Sequence, residues 1–179
     1  MAQTSTMYTF DIALSDVGRA IYDSFTVKAA CHPSETEEYL ATRVLAYCLE
    51  YTEGIAFSKG LGEPEEPAIS VRDLTGALKS WIDIGAPDAA RLHKASKASP
   101  RVAVYTHREP RTFLRAYEGE RIHRAEALEL YAIDRDLLAE FVRRLDRRMR
   151  FALTITEGEL YLDFRDAHVS GTVQRLTLS

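Results

Sequence analysis

The pattern that indicates the class of fold lies in the stretch ALKSWIDIGAPDAARLHKASKASPRVAVYT, residues 77–106. Its first part, residues 77–84, and its last part, residues 102–106, are rich in apolar and β-branched residues, which predicts two strands. Between them, Pro and Asp at positions 87 and 88 open a segment that predicts a helix over residues 89–99. A strand, a helix and a second strand at this spacing indicate a parallel crossover connection in an α/β sheet.

Both ends of the chain predict β-ribbons. Apolar and polar residues alternate over residues 8–14 and again in a strand-like run at 20–29, which predicts an N-terminal hairpin. The Glu157-Gly158 pair predicts a second hairpin near the C-terminus, and the apolar pattern after it predicts one more strand. These ribbons extend the central sheet at both termini.

Helices and the remaining strands complete the prediction. Ser34 is a suitable N-cap with Glu37 at capping-box spacing, and Asp134 is a suitable N-cap for a second strong helix. A short helix is predicted at residues 112–117, further strands are predicted at 55–57, 68–72 and 128–133, and an acidic loop at 60–67. The sequence therefore predicts an α/β fold with one domain over residues 1–179: a mixed β-sheet flanked by helices, with extra hairpin strands from the N- and C-termini.

Composition excludes several classes of protein. A chain of 179 residues with 46% hydrophobic and 28% charged residues is long enough for a real core and unlike disordered, collagen or coiled-coil sequences. It has no apolar run of the roughly 20 residues that a spanning helix needs, and its start does not resemble a secretory signal. Two cysteines cannot form a disulfide framework or a four-ligand zinc site. We therefore expect a soluble, cytoplasmic protein without a membrane partner.

Charge is distributed unevenly along the chain. The net charge is −4, yet acidic residues prevail in residues 1–90 and basic residues in 91–150. The densest basic run comprises Arg143, Arg144, Arg147, Arg148 and Arg150. This asymmetry leaves DNA or RNA possible as a partner, although the negative total argues against avid non-specific coating of nucleic acid.

Carboxylates are the strongest candidates for chemistry, because phosphate-loop, dinucleotide, nucleophile-elbow and HExxH motifs are all missing from the sequence. Glu38 lies at the edge of the apolar face of a predicted helix, and Asp83 interrupts an apolar strand. Asp73 begins a turn between two strands, and Lys94 follows on the next helix. Three carboxylates and a lysine predict a Mg²⁺ site, in which the lysine stabilises charge on phosphorus. An ion pair at Glu38 and an Asx turn at Asp73 are the alternatives.

Distinctive stretches also carry a resemblance to a known family. They are HPSET at 32–36, Glu38, Arg43, WIDIG at 81–85, Pro87-Asp88, Lys94-Ala95 and Val102-Ala103. Together they resemble the YaeQ family of small bacterial proteins over nearly the whole chain. That family is similar to the PD-(D/E)XK nuclease superfamily, so the resemblance implies a restriction-endonuclease-like core with a variant of the nuclease motif.

The resemblance implies roles for individual residues. Asp73 corresponds to the Asp of the nuclease motif, Asp83 to its Asp/Glu, and Glu38 to the helix carboxylate of many members, so that these three hold Mg²⁺ or Mn²⁺. The chain departs from the motif at Arg72, where the motif has Pro, and at Gly85, where it has Lys.

Basic residues complete the predicted site. Some superfamily members carry the motif lysine on the following helix, which makes Lys94 the catalytic candidate here. Lys94 shares a basic helix face with Arg91 and Lys97, and these two residues together with Arg43 are the predicted nucleic-acid-binding set.

Three functions remain open from the sequence. The first is a Mg²⁺-dependent phosphodiesterase that acts on nucleic acid, and the second is an inactive nuclease-fold module that binds nucleic acid or a protein without cutting. The third and simplest is that the charges form solvated faces and ion pairs with no ligand. Convergence of Glu38, Asp73, Asp83 and Lys94 in space would favour the first function.

Overall fold

The computed structural model describes residues 4–58 and 65–178. Its strands are β1 (Thr6–Asp16), β2 (Ile21–Cys31), β3 (Ile55–Phe57), β4 (Ile69–Arg72), β5 (Leu78–Ile84), β6 (Val102–Thr106), β7 (Glu129–Ile133), β8 (Arg148–Thr156), β9 (Glu159–Asp163) and β10 (His168–Leu176). Its helices are α1 (Glu37–Leu49), α2 (Ala89–Ala98), α3 (Pro110–Arg115) and α4 (Arg135–Arg143). None of these helices is long and apolar enough to cross a membrane.

The strands join into one mixed sheet. Their order across the sheet is β2-β1-β8-β9-β10-β7-β6-β5-β4-β3. The pairs β1–β8, β5–β6 and β6–β7 are parallel, and the other neighbours in this order are antiparallel. The parallel crossover predicted for residues 77–106 is thereby confirmed, with α2 as its helix.

The central strands form where the sequence is continuously apolar. All five residues of β6 and the last five of β5 are buried, as expected for parallel strands covered on both faces. On one face α2 places Leu92 and Ala95 against Trp81 and Val104. The carboxyl ends of β5 and β6 consequently meet at one edge, directly beside the start of α2.

Helix α1 is the centre of the larger core. Every residue from Leu40 to Cys48 is buried, which is typical of a helix enclosed on all sides. It contacts β2 and β3, which are the two opposite edge strands of the sheet, and α4 packs against it. The sheet therefore curls around α1 and makes a large, mostly barrel-like surface flanked by helices.

The predicted terminal hairpins are confirmed with small shifts in their bounds. β1 pairs with β2 from Thr6 with Cys31 to Asp16 with Ile21. β8 and β9 pair around Glu157 and Gly158, which both adopt positive φ (47° and 78°). Most of the loop predicted at 60–67 lies outside the described residues.

Helix starts were predicted less accurately. The N-cap of α1 is Thr36, whose hydroxyl accepts from the Tyr39 N–H at 3.1 Å, and not Ser34. Ser34 instead belongs to a turn that begins at His32, where its hydroxyl bonds the imidazole Nδ1 at 2.8 Å. Helix α3 starts two residues before its predicted position, because Glu109 caps it and a proline fits its first turn. The predicted Asp134 N-cap is confirmed.

Candidate functional site

A cavity of about 730 Å³ opens where the parallel strands β5 and β6 end. The start of α1 forms a second wall, and the start of α2 forms a third. Charged and polar residues contribute much of its lining, among them Tyr39, Arg43, Asp83, Arg91, His107 and Arg108. Ligands in α/β proteins commonly bind outside the carboxyl ends of parallel strands, so this cavity is the candidate site.

Asp83 and Arg91 form a buried ion pair in the cavity wall. Asp83 is only 2% exposed, and both of its oxygens accept from the guanidinium, at 2.7 Å from Nε and 3.1 Å from Nη2. This hydrogen bonding is the main reason that the pKa of Arg91 is raised. The same Nη2 also donates to the Glu66 carbonyl at 2.8 Å, and the guanidinium lies over the Trp81 ring. Asp83 is thus held by Arg91 in a bidentate geometry.

Arg43 is a buried cation of a different kind. Arg43 is only 4% exposed. Its Nη1 donates to the Ala30 carbonyl at 3.1 Å, and its guanidinium lies 4.6 Å from the centroid of the Phe57 ring. Within residues 4–58 and 65–178, no carboxylate lies within 4.0 Å of it, and its Nε has no hydrogen-bond partner. Burial accordingly lowers the pKa of Arg43. The charge of Glu35 in the same cavity opposes this lowering without forming an ion pair, and an anion in the cavity would stabilise the buried cation further.

His107 and Arg108 follow β6 directly and line the cavity mouth. The His107 Nδ1 is buried and lacks a partner among the described atoms. Burial first, and then the charges of Arg108 and Arg135, lower the pKa of His107, while Glu38 acts in the opposite direction. The imidazole is therefore neutral at pH 7 and can offer one N–H to a ligand. Arg108 is exposed, so its guanidinium is accessible from solvent.

Carboxylates other than Asp83 also line the cavity. Glu35 is half-buried, and its Oε1 accepts from the His32 N–H at 3.1 Å. Glu66 is likewise half-buried at the opposite wall. The cavity therefore presents both signs of charge, with Arg43 at depth and glutamates in the surrounding walls.

Gly85 explains why no lysine occupies the position expected from the nuclease motif. The residue has φ +86° at the point where β5 ends and the chain turns into the cavity wall. A side chain is strained in this left-handed conformation, whereas glycine adopts it readily. A Cβ at this position would lie 3.6 Å from the rings of Tyr39 and His107, which is an ordinary contact distance, so the backbone conformation and not a lack of space favours glycine.

The predicted metal ligands do not converge. Asp73 lies at the turn of the β4–β5 hairpin, whereas Asp83 lies at the opposite end, level with Ala68. The five residues from Ala68 to Asp73 span about 16 Å along the strand, so the two carboxylates are far apart. Asp73 accepts hydrogen bonds from Thr75 and the Ala77 N–H, which lower its pKa and make it an Asx turn. Glu38 is exposed in the first turn of α1. The structure thus supports the Asx-turn alternative for Asp73.

A divalent cation does not fit the residues that the structure describes. Asp83 is occupied by Arg91, and no three histidine, cysteine or acidic residues within residues 4–58 and 65–178 are grouped closely enough to hold a metal ion. The predicted Mg²⁺ or Mn²⁺ set of Glu38, Asp73 and Asp83 is therefore not assembled.

The predicted basic residues divide into two groups. Arg43 and Arg91, two of the three predicted nucleic-acid-binding residues, both line the cavity. Lys94 instead pairs with Glu65 on the solvent side of α2, and Lys97 is exposed one turn further on. Neither lysine lines the cavity, so Lys94 does not take the predicted catalytic position.

Several lining residues were not among the predicted site residues, including His107, Arg108, Tyr39, Glu35 and Glu66. His107 and Arg108 were overlooked although they follow a predicted parallel strand, where ligand-binding residues concentrate. Tyr39 was overlooked because it belongs to the apolar face of α1; burial raises its pKa, so its hydroxyl stays protonated. The signal for the first two was their position after β6.

The fold and the site define a mixed α/β protein with an arginine-lined cavity at the carboxyl ends of parallel strands. The family model described as YaeQ protein matches residues 1–173. The uncharacterised protein YaeQ of Escherichia coli (strain K12) is 29% identical over 164 residues, covering 90% of each chain. The chain belongs to the YaeQ family.

Solved structures agree with this assignment. The crystal structure of YaeQ protein from Pseudomonas syringae matches with a TM-score of 0.86 at 30% identity and covers 99% of both chains. The crystal structure of YaeQ protein from Xanthomonas axonopodis pv. citri matches with a TM-score of 0.87 at 29% identity, over 98% of this chain and all of that one.

Proposed function

We propose that this chain is a nucleic-acid-binding module on a nuclease-like core, which binds phosphate through Arg43 and does not cut. The observation that carries the proposal is the buried guanidinium of Arg43, which lines the cavity without a carboxylate within 4.0 Å among the described residues. Such a cation is stabilised when an anion enters, and phosphate is an anion for which arginine is well suited.

The proposed restriction-endonuclease-like core has support from the sheet. The stretch from α1 to β6 forms a mixed sheet covered by helices on both sides, and the cavity lies at its edge. In this proposal the nuclease-like framework is retained, but Arg91 pairs with the Asp83 carboxylate and Arg43 provides a phosphate-binding group. The resemblance of the sequence to the PD-(D/E)XK superfamily is the second support.

The metal-dependent phosphodiesterase is the less favoured alternative. It would require Asp83 to leave the bidentate contact with Arg91, and it would require a lysine in the cavity, whereas Lys94 pairs with Glu65 outside it. Because both requirements oppose the observed contacts, the geometry favours binding without cleavage. A protein partner has no comparable support from these residues.

Binding to labelled single- and double-stranded DNA and RNA tests the proposal. Fluorescence anisotropy is measured at low and high salt, in EDTA and in Mg²⁺ or Mn²⁺, and the same samples are examined for strand cleavage. We expect salt-sensitive binding that is equal in EDTA and in metal, with intact strands. Arg43→Met should abolish it.

Matched variants make the test specific. Arg148→Met removes an exposed arginine that pairs with Asp11 and does not line the cavity, and it should bind as the parent chain does. Absence of binding at low salt would overturn the proposal. Metal-dependent cleavage that Asp83→Ala abolishes would overturn it in favour of the enzyme.

A further inference from the structure

The cavity also suggests which phosphate is bound, provided that the proposed nucleic-acid binding holds. We infer that it receives a terminal phosphate monoester at the end of a strand and not an internal phosphodiester. The inference rests on the juxtaposition of one deeply buried cation, Arg43, with two glutamates in the cavity walls.

The first step is the depth of Arg43. Its guanidinium is held between the Ala30 carbonyl and the Phe57 ring, so it cannot swing out to meet a ligand at the surface without losing both contacts. A phosphate must therefore enter the cavity. An internal phosphodiester carries a nucleotide on each side, and both would have to enter with it, whereas a terminal phosphate carries only one.

The second step is volume. A cavity of about 730 Å³ is within the range of roughly 300–1,000 Å³ that encloses one small molecule. A single terminal nucleotide is a molecule of this class. Its walls also offer the ring of Tyr39 and the Pro87 side chain as apolar surfaces beside the charged groups.

The third step is charge. A phosphate monoester carries about −1.5 to −2 at neutral pH, against −1 for a diester, so it gains more from Arg43. Arg108 adds a second guanidinium at the mouth, and among the described residues no carboxylate lies within 4.0 Å of it. His107 can donate one N–H to the same group.

The two glutamates in the cavity walls also favour a terminal phosphate over an internal one. Carboxylates of Glu35 and Glu66 would repel the neighbouring phosphates of a continuous backbone that passed through the cavity. The same oxygens can accept hydrogen bonds from sugar hydroxyls or from base N–H groups of one terminal nucleotide. The mixed charge of the cavity therefore favours an end over the middle of a strand.

Oligonucleotides that differ only at their ends test the inference. One sequence with an internal fluorophore is prepared with a 5′-phosphate, with a 3′-phosphate, with two hydroxyl ends and as a closed circle. Anisotropy is measured in EDTA. We expect at least one phosphorylated form to bind about tenfold more tightly than the hydroxyl-ended and circular forms, which corresponds to one or two charge-assisted hydrogen bonds.

Variants locate the end preference in the cavity. Arg43→Met should remove it, and Arg108→Gln, which changes an exposed residue and so leaves folding unaffected, should reduce it. Arg148→Met should retain it in full. Far-ultraviolet circular dichroism verifies that each variant is folded.

The outcomes separate this inference from the proposed function. Equal binding of all four oligonucleotides, lost in Arg43→Met, would overturn the end preference and leave the nucleic-acid-binding function standing. Absence of binding to every form would overturn the proposed function and the inference with it. An end preference that Arg43→Met and Arg108→Gln both retain would overturn the assignment to this cavity.

Discussion

Arg43 and the arginines near the end of α4 have opposite surroundings. In the cavity, Arg43 is buried beside a backbone carbonyl and an aromatic ring, without a carboxylate within 4.0 Å in the described parts of the chain. At the end of α4 and the start of β8, three arginines each meet a carboxylate: Arg143 and Arg144 bind Glu140 at 2.9 and 2.7 Å, and Arg148 binds Asp11 at 3.2 Å.

The comparison shows that a dense run of basic residues in the sequence does not by itself provide positive charge that is free to bind an anion. The run at 143–150 is the densest in the sequence, and it suggested a phosphate-binding surface. Three of its five arginines are ion-paired at the surface. For these three the structure supports the interpretation that the charges form solvated faces and ion pairs with no ligand. Among the described residues Arg43 has no carboxylate within 4.0 Å and only the more distant charge of Glu35, and its burial makes its interaction with any anion stronger because solvent screens it less.

Breaking the buried ion pair should have the largest effect. Replacing Arg91 by alanine leaves Asp83, which is 2% exposed, as an uncompensated buried carboxylate. We expect the free energy of unfolding to fall by about 3 kcal/mol, as for other buried pairs that lose one partner. Urea denaturation measures the change.

The surface pair is the control for that experiment. Arg148→Ala breaks an exposed contact with Asp11, which solvent screens, so the denaturation midpoint should hardly move. Equal losses for Arg91→Ala and Arg148→Ala would contradict the distinction between a buried and an exposed ion pair.

Replacing Arg43 by methionine should have a smaller effect and the opposite sign. Methionine fills similar space without a charge to desolvate, so the free energy of unfolding should rise by about 1 kcal/mol while phosphate binding disappears. Chemical denaturation and a phosphate-binding titration measure the two effects on one preparation. Arg43→Lys, which retains a charge, should show no such gain.

A loss of stability in Arg43→Met would contradict this expectation. It would indicate that the Ala30 hydrogen bond and the Phe57 contact stabilise the fold more than the desolvation of the charge opposes it. Gain of stability with loss of binding is typical of residues that are retained for function.

The sequence predicted the parts of the fold that depend on local pattern. The crossover at residues 77–106 and both terminal hairpins follow from apolar periodicity and turn residues, and the structure confirms them. The curling of the sheet around α1 was not predictable in this way, because it depends on which distant strands meet that helix. Local patterns contain no information on such long-range contacts.

The candidate site was predicted only in part for the same reason. Asp83 and Asp73 are ten positions apart, and spacing alone cannot say that an antiparallel hairpin places them at opposite ends. Arg91 was predicted as a nucleic-acid-binding residue on a basic helix face, and its pairing with Asp83 was not predicted. The function of a charged residue depended on its neighbours in space.

Neutralising the surface arginines should change nucleic-acid binding only slightly. The Arg144 guanidinium already pairs with Glu140 and Asp166. Arg144→Gln should therefore change the affinity for nucleic acid at low salt by about twofold at most. Arg108→Gln should weaken binding more and should lower the slope of affinity against salt by about one counter-ion. Titrations at several salt concentrations measure both, and the reverse order would place the phosphate contacts on α4 and β8.

The smallest expected effect concerns pH and His107. Because its pKa in the folded chain is lowered from 6.5, the unfolded chain binds a proton at a higher pH than the folded chain does. The free energy of unfolding should therefore decrease as the pH falls from 7 through 6.5 and below, and His107→Gln should show a weaker decrease.

A histidine outside the cavity provides the control for this pH experiment. His168 lies exposed on β10 beside Asp163, outside the cavity, and His168→Gln serves as the matched control. Urea denaturation at pH 7 and at pH 5.5 should show a flatter pH dependence for His107→Gln than for the parent chain. The difference arises because burial beside Arg108 opposes a charged imidazole at the cavity mouth, whereas an anion there would favour it. Bound phosphate should accordingly reduce the loss of stability at pH 5.5 in the parent chain more than in His107→Gln.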